Sequence, residues 1–73
     1  MENELRKILA HNLKVERVKK DYTQDKFAEL ANISTKHLTK IENEKVTPSI
    51  YIVLKLASAL NITVDKLIYK NDN

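Results

Sequence analysis

The sequence contains no glycine and no cysteine among its 73 residues, and only one proline. The absence of cysteine excludes disulfide bonds, thiolate metal ligands and a thiol nucleophile. The absence of glycine excludes the glycine-rich loops that hold the phosphates of nucleotides and dinucleotides. The two histidines, His11 and His37, lie on different predicted helices and have no acidic partner at metal-ligand spacing. We therefore expect no catalytic residues, no cofactor and no metal site.

A long apolar run is also missing from the chain. The longest run, residues 50–54, is far short of the roughly 18 residues that cross a bilayer, and residues 1–4 do not read as a signal peptide. We expect a soluble, cytoplasmic protein that forms one small domain, with its core over about residues 5–69 and short tails. A formal net charge of +3 permits binding to nucleic acid without requiring it.

The spacing of apolar residues predicts helices throughout the chain and no strand. The predicted helices span about residues 3–20, 24–31, 35–44, 50–60 and 64–70. The expected fold is therefore all-α, a compact bundle of five helices. In the fourth helix, Val53, Leu54, Ala57 and Leu60 are the predicted core residues. Pro48 suits either the first turn of that helix or the position before a serine cap, and the sequence leaves both open.

The segment from Gln24 to Asn43 predicts two short helices joined by a tight turn. Asn32 suits the left-handed position that ends the first helix, and Ser34 suits the N-cap of the second. A similar start, with an apolar residue before a hydroxyl cap, recurs at residues 22–23 and at Ile62 and Thr63. The predicted packing residues are Phe27, Ala28, Ala31, Ile33, Leu38 and Ile41. Such a unit is typical of a helix-turn-helix, and an ordinary αα-hairpin is the alternative.

The outer face of the second helix in this segment carries no acidic residue. Opposite the apolar positions lie Thr35, Lys36, Thr39, Lys40 and Asn43. Lysine can pair with phosphate or guanine, threonine with bases through its hydroxyl or methyl group, and asparagine with adenine or phosphate. The face is therefore suited to contact DNA.

Two opposite charges fall on predicted apolar stripes. Arg17 follows Leu13 by four residues, and Glu42 follows Leu38 by four residues, so each charge shares the inward face of its helix. An unpaired buried charge is costly. We therefore expect Arg17 and Glu42 to form an ion pair and not to contact bases.

In their order and spacing these elements resemble the phage repressor and Cro-like helix-turn-helix regulators, the Xre family. The resemblance runs from about residue 13 to residue 68. It rests on Arg17, Tyr22-Thr23-Gln24, Phe27-Ala28, Ala31-Asn32-Ile33-Ser34, Leu38, Ile41-Glu42-Asn43, Thr47-Pro48-Ser49, Leu54 with Ala57 and Leu60, and Ile62-Thr63-Val64-Asp65-Lys66-Leu67. It implies a lambda-repressor-like five-helix bundle with the helix-turn-helix at helices 2 and 3, sequence-specific binding of double-stranded DNA, and a dimer on a near-palindromic site. It also implies that Arg17 and Glu42 tie the first helix to the end of the third.

The chain departs from this family where glycine is usual. The four positions are occupied by Asp21, Asn32, Glu44 and Asn61. Asparagine tolerates left-handed geometry, whereas aspartate and glutamate are less comfortable there. We therefore expect the turns at Asp21 and Glu44 to differ from those of the family.

The outer face and the resemblance together predict the DNA contacts. The predicted base contacts are Thr35, Lys36, His37, Thr39 and Lys40. For His37 the alternative is a surface histidine without a role. The predicted contacts to the DNA backbone are Thr23, Gln24, Asn43, Lys45 and Thr47.

The C-terminal region carries more apolar surface than one short helix readily buries. Its predicted dimer residues are Ile62, Val64, Ile68 and Tyr69; the alternative is that they only close the core. The sequence thus predicts a DNA-binding transcriptional regulator that acts as a repressor and a homodimer. Two alternatives stay open: a DNA-binding antitoxin whose main partner is a toxin protein, or a protein-interaction module that has lost DNA binding.

Overall fold

The computed structural model describes residues 2–70, and Met1 and residues 71–73, which belong to the predicted tails, lie outside this range. The described residues form five helices and no strand. The helices are α1 (Glu2–Lys19), α2 (Gln24–Ala31), α3 (Thr35–Glu42), α4 (Ile50–Leu60) and α5 (Asp65–Ile68). The predicted all-α bundle is confirmed, although α5 is a single turn and ends earlier than the spacing predicts.

Hydroxyl caps begin three of the helices. The side chains of Thr23, Ser34 and Ser49 each accept a hydrogen bond from the backbone N–H three residues later, at 3.0, 3.0 and 3.3 Å. Each bond satisfies one of the N–H groups that a helix start leaves without a partner. Because Ser49 caps α4, Pro48 occupies the position before the cap, which decides between the two places that the sequence left open.

The start of α5 differs from the other three. Its N-cap residue is Val64, which has helical backbone angles, and no side-chain hydrogen bond caps this start. The carbonyl of Thr63 accepts the N–H of Lys66 at 3.1 Å, so the backbone itself closes the first turn. The prediction of a Thr63 hydroxyl cap is therefore wrong.

The first four helices all end on a residue in the left-handed conformation. The φ angles are 60° at Asp21, 57° at Asn32, 63° at Glu44 and 56° at Asn61. In each case the next residue donates its N–H to the carbonyl five residues earlier, at 3.2, 3.0, 2.9 and 3.1 Å in chain order. These bonds define the Schellman motif, in which glycine normally occupies the left-handed position. The difference expected at Asp21 and Glu44 is not found, because the closing bonds hold the left-handed geometry despite the side chains.

The core is built from one apolar stripe on each helix. Its largest fully buried apolar side chains are Leu13, Phe27, Leu38, Ile41, Leu56, Leu60 and Leu67. In α4 the prediction for Leu54 is wrong, since its side chain is 50% exposed and Leu56 is completely buried. The buried positions of α4 are 53, 56, 57 and 60, which follow the i, i+3, i+4, i+7 spacing. Leu54 lies about 100° around the helix from residue 53 and so faces away.

An ion pair joins α1 to the last turn of α3. The Nε of Arg17 donates to Oε2 of Glu42 at 2.9 Å, and the Nη2 of Arg17 donates to Oε1 of Glu42 at 3.2 Å. The Nη1 of Arg17 donates to the Tyr22 carbonyl at 2.9 Å. The carboxylate of Glu42 is fully buried and also accepts the Gln24 side-chain amide at 2.9 Å. The pair therefore fixes α3 to α1 and to the first residue of α2.

A buried asparagine holds α5 against α1. Asn12 is 4% exposed, and its Nδ2 donates to the carbonyls of Leu67 and Tyr69, both at 2.9 Å. A four-residue helix is too short to be stable in isolation. These two bonds, together with the buried side chain of Leu67, keep the short helix in place.

We expect Glu42→Ala to lower the free energy of unfolding by about 3–5 kcal/mol, because it leaves the Arg17 guanidinium without its buried partner. Urea denaturation followed by circular dichroism measures the change. Glu29→Ala is the matched control, since Glu29 is 75% exposed and pairs with Lys26 only at 3.6 Å; this change should have little effect. Equal stability of Glu42→Ala and the wild type would contradict the structural role of the pair.

We expect Glu44→Gly to raise the free energy of unfolding by about 0.5–1 kcal/mol. The left-handed conformation costs a residue with a Cβ atom about 1–2 kcal/mol, and the greater freedom of glycine in the unfolded chain removes part of the gain. Glu44→Ala is the control, because it removes the charge and keeps the Cβ atom. A gain in Glu44→Ala as large as that in Glu44→Gly would show that charge, and not backbone conformation, limits stability here.

Candidate nucleic-acid interface

The inner face of α3 fixes how this helix lies on the protein. Leu38 and Ile41 are buried in the core, and Phe27 and Ala28 of α2 are buried with them. The small side chain of Ala28, 1% exposed, allows the two helices to approach closely. The turn between them consists of residues 32–34. This arrangement is the predicted helix-turn-helix unit, with its second helix on the surface.

The predicted base-contact residues lie along the outward side of α3. The side chains of Lys36 and Lys40 are exposed, and those of Thr35, His37 and Thr39 are partly buried. Because residues four apart lie one turn apart on the same face, the threonines form one column and the lysines a neighbouring one. The face therefore carries two kinds of hydrogen-bonding group in an ordered array.

The threonine column is hydrogen-bonded to α2. The Thr35 hydroxyl donates to Oδ1 of Asp25 at 2.8 Å. The Thr39 hydroxyl donates to Oε1 of Gln24 at 3.1 Å, while Nε2 of Gln24 donates to the buried carboxylate of Glu42. A glutamine amide carries two N–H groups, and the contact with Glu42 uses one of those of Gln24. The first turn of α2 thus supports the side chains of α3 from the side.

Asp25 is absent from the predicted contacts, although it borders the face that they form. It stands ten residues before Thr35 in the sequence, and only the crossing of α2 and α3 brings the two side chains within 2.8 Å. The local sequence offers no signal for this contact, because an exposed aspartate in the first turn of a helix is common. The basic face of α3 therefore has one carboxylate at its edge.

The remaining predicted backbone contacts surround the ends of α2 and α3. Thr23, Asn43, Lys45 and Thr47 are all exposed. The Thr23 hydroxyl already serves as the cap of α2. The Nε of Arg6, on α1, donates to the Thr47 hydroxyl at 2.6 Å, which brings a guanidinium beside the loop between α3 and α4. Arg6 is a basic residue that the sequence-based prediction omits.

The predicted dimer residues fall into two groups in the structure. Ile62, Val64 and Ile68 are partly buried and pack against the core. Tyr69 is 62% exposed. The first three residues thus help to close the core, while Tyr69 presents apolar surface to solvent.

Neither a metal site nor a membrane span stands out within residues 2–70. No group of three or more histidine or acidic side chains in this range could hold a metal ion. None of the described helices is long and apolar enough to cross a bilayer.

Solved structures of transcription regulators share this fold. A hypothetical transcription factor, NHTF, from Neisseria is 24% identical and superimposes with a TM-score of 0.89 over 96% of this chain and 80% of that one. A transcriptional regulator of the HTH_3 family from Vibrio cholerae is 25% identical, with a TM-score of 0.88 over 92% of this chain. The present chain spans only 38% of that protein.

A third structure is close to this chain in length. The restriction-modification controller protein C.AhdI from Aeromonas hydrophila is 26% identical and superimposes with a TM-score of 0.82, over 85% of this chain and 94% of that one. No curated protein sequence matches the chain. The model of the helix-turn-helix family HTH_3 matches residues 13–67, which covers α2, α3 and α4, the C-terminal part of α1 and most of α5. The chain therefore belongs to this helix-turn-helix family, that of the phage repressor and Cro-like regulators which its sequence resembles.

Proposed function

We propose that the protein is a sequence-specific regulator of transcription that binds double-stranded DNA as a homodimer and represses the promoter it covers. The observation that carries this proposal is the division of α3 into two faces. Its inner face is held by Leu38, Ile41 and the ion-paired Glu42. Its outer face presents the exposed Lys36 and Lys40 and no acidic residue.

The dimensions of α3 suit the major groove of DNA. An α-helix with its side chains is about 10–12 Å across, and the major groove is about 12 Å wide. The eight residues of α3 extend for about 12 Å. In helix-turn-helix proteins the N-terminal part of the recognition helix contacts base edges. In this mode the base contacts are Thr35, Lys36, Thr39 and Lys40, with His37 at the edge of the groove.

The flanking residues would hold the DNA backbone. The eight-residue α2 begins at Gln24, and the N–H groups and dipole at a helix N-terminus favour an anion such as phosphate. Gln24 adds its remaining amide N–H at the same end. We propose phosphate contacts for Thr23 and Gln24 on one side of α3, and for Asn43, Lys45 and Thr47 on the other.

A dimer is proposed because one recognition helix specifies few base pairs. Two copies related by a two-fold axis would place their α3 helices on half-sites about 34 Å apart, which explains why such operators are near-palindromic. The proposed interface is the C-terminal surface formed by Ile62, Val64, Ile68 and Tyr69. A protein of this kind represses by occupying DNA that the transcription machinery needs.

We expect Lys36→Ala and Lys40→Ala each to weaken binding to a selected operator by about 1–3 kcal/mol if the lysine reads a base, with relaxed specificity at one position. Fluorescence anisotropy on the operator and on single-base variants measures both effects. Lys7→Ala is the matched control, because it also removes one positive charge. Lys7 belongs to α1 and lies on the same part of the surface as Lys70. A uniform loss on every sequence would mark the lysine as a phosphate contact.

The same titrations test DNA binding itself. Binding through several phosphates makes the logarithm of the affinity fall linearly with the logarithm of the salt concentration. The wild type should show this dependence on any duplex. The complete absence of salt-dependent duplex binding would contradict the proposal and favour the interaction-module alternative.

We expect Tyr69→Asp to weaken self-association at least tenfold, a loss of about 1.4 kcal/mol or more, because it places a charge in the proposed interface. Sedimentation equilibrium measures the association constant. Tyr51→Asp on α4 is the matched control, since Tyr51 is 66% exposed and lies outside the proposed surface. Monomeric wild-type protein at high micromolar concentration would contradict a dimer formed without DNA, and a larger effect of Tyr51→Asp would move the interface to α4.

A further inference from the structure

We infer that the threonine column of α3 reads bases as a hydrogen-bond acceptor, so that Thr35 and Thr39 select the amino bases, adenine and cytosine, over guanine and thymine. This inference rests on the proposed function. A threonine hydroxyl has one proton to donate and two lone pairs to accept with, and by itself it discriminates poorly between bases. In this protein, neighbouring side chains on α2 take up the proton of both hydroxyls.

The proton of Thr35 is committed to Asp25. The two side-chain oxygens lie 2.8 Å apart, which is a hydrogen-bond distance. An ionised carboxylate can only accept hydrogen bonds. The proton between the two groups therefore belongs to Thr35 and points to α2, which leaves the lone pairs of the hydroxyl for any other partner.

The direction of the Thr39 proton is set by two successive hydrogen bonds that begin at the buried carboxylate of Glu42. The buried carboxylate of Glu42 can only accept, so the Gln24 atom that lies 2.9 Å from it must be the donor Nε2. This contact fixes the orientation of the amide and turns Oε1 towards Thr39 at 3.1 Å. An amide oxygen also only accepts, so Thr39 must donate. The ion pair with Arg17 thereby sets the polarity of a hydroxyl on the surface.

Acceptor groups at these positions fit only part of the major-groove pattern. Adenine and cytosine present amino donors there, at N6 and N4, whereas the corresponding groups of guanine and thymine are the carbonyl acceptors O6 and O4. A carbonyl oxygen opposite a lone pair would lose its water without gaining a hydrogen bond. The bases opposite Thr35 and Thr39 should therefore be adenine or cytosine, each favoured by about 3- to 10-fold.

The lysine column has the opposite polarity. The ammonium groups of Lys36 and Lys40 are donors with no acceptor capacity. They pair with O6 and N7 of guanine or with O4 of thymine. The two neighbouring columns of α3 thus present opposite hydrogen-bonding characters to the groove, which gives a half-site a readable pattern from only four side chains.

The test is selection of bound duplexes from a library with a randomised core, followed by sequencing. Thr35→Val and Thr39→Val keep the branched shape and remove the hydroxyl, so each variant identifies the base position that its threonine reads. Asp25→Ala keeps Thr35 and releases its proton. Glu29→Ala is the matched control, because it also removes one negative charge from α2 and Glu29 is 75% exposed. Thermal unfolding of each variant confirms that it is folded.

Every base pair presents one amino group and one carbonyl group in the major groove, so the test compares variants with the wild type. Each valine variant should lose the wild-type preference at one position. Asp25→Ala should lower the preference about 3- to 10-fold at the Thr35 position alone, and Glu29→Ala should leave both preferences unchanged. Valine variants with unchanged profiles, or an Asp25→Ala profile equal to that of the wild type, would overturn the inference. If no sequence is enriched, the proposed function fails and this inference with it.

Discussion

The buried carboxylate of Glu42 is the contact on which the helix-turn-helix depends. An ion without exposure to water is tolerated only where partners replace its hydration. Arg17 supplies two donors from α1, and Gln24 supplies a third from α2. The last turn of α3 is therefore fixed to two other helices at one point. Removal of either member of the Arg17–Glu42 pair would leave the other charge without its ionic partner, so the position of α3 and the stability of the small core depend on the same contact.

The turns place a second constraint on this fold. Each of the first four helices ends in a left-handed residue, and the chain uses aspartate, asparagine and glutamate where glycine would be free of strain. The closing hydrogen bonds hold these ends in place, and the cost is borne by a domain with little core to spare. Stability is thus limited where the helices end.

Much of this fold could be predicted from sequence because its signals are local. Ser34 and Asn32 mark one boundary by their side chains, and opposite charges on apolar stripes predict the pairing of Arg17 with Glu42. The phase of α4 could not be read in the same way, since nearly every residue of α4 is apolar and Leu54 and Leu56 look alike.

Local sequence patterns also could not predict contacts between residues that are distant in the sequence. The bonds of Asn12 to the carbonyls of Leu67 and Tyr69, in α5 and just after it, join residues more than fifty positions apart. The bond between Thr35 and Asp25 depends on how two helices cross. The residues of the candidate interface could be predicted from one helix face, whereas the polarity of its hydroxyls requires the neighbouring helix.

The most direct test of the central claim, that α3 anchored by Glu42 is the DNA-binding surface, is a nuclear magnetic resonance titration of the labelled protein with a short mixed-sequence duplex at low salt. Backbone amide signals should shift most along residues 34–45 and at the start of α2. The amides of the outward face of α4, around Tyr51 and Leu54, should stay unchanged. Shifts centred on α4 or α5, or no shift at all, would contradict this claim.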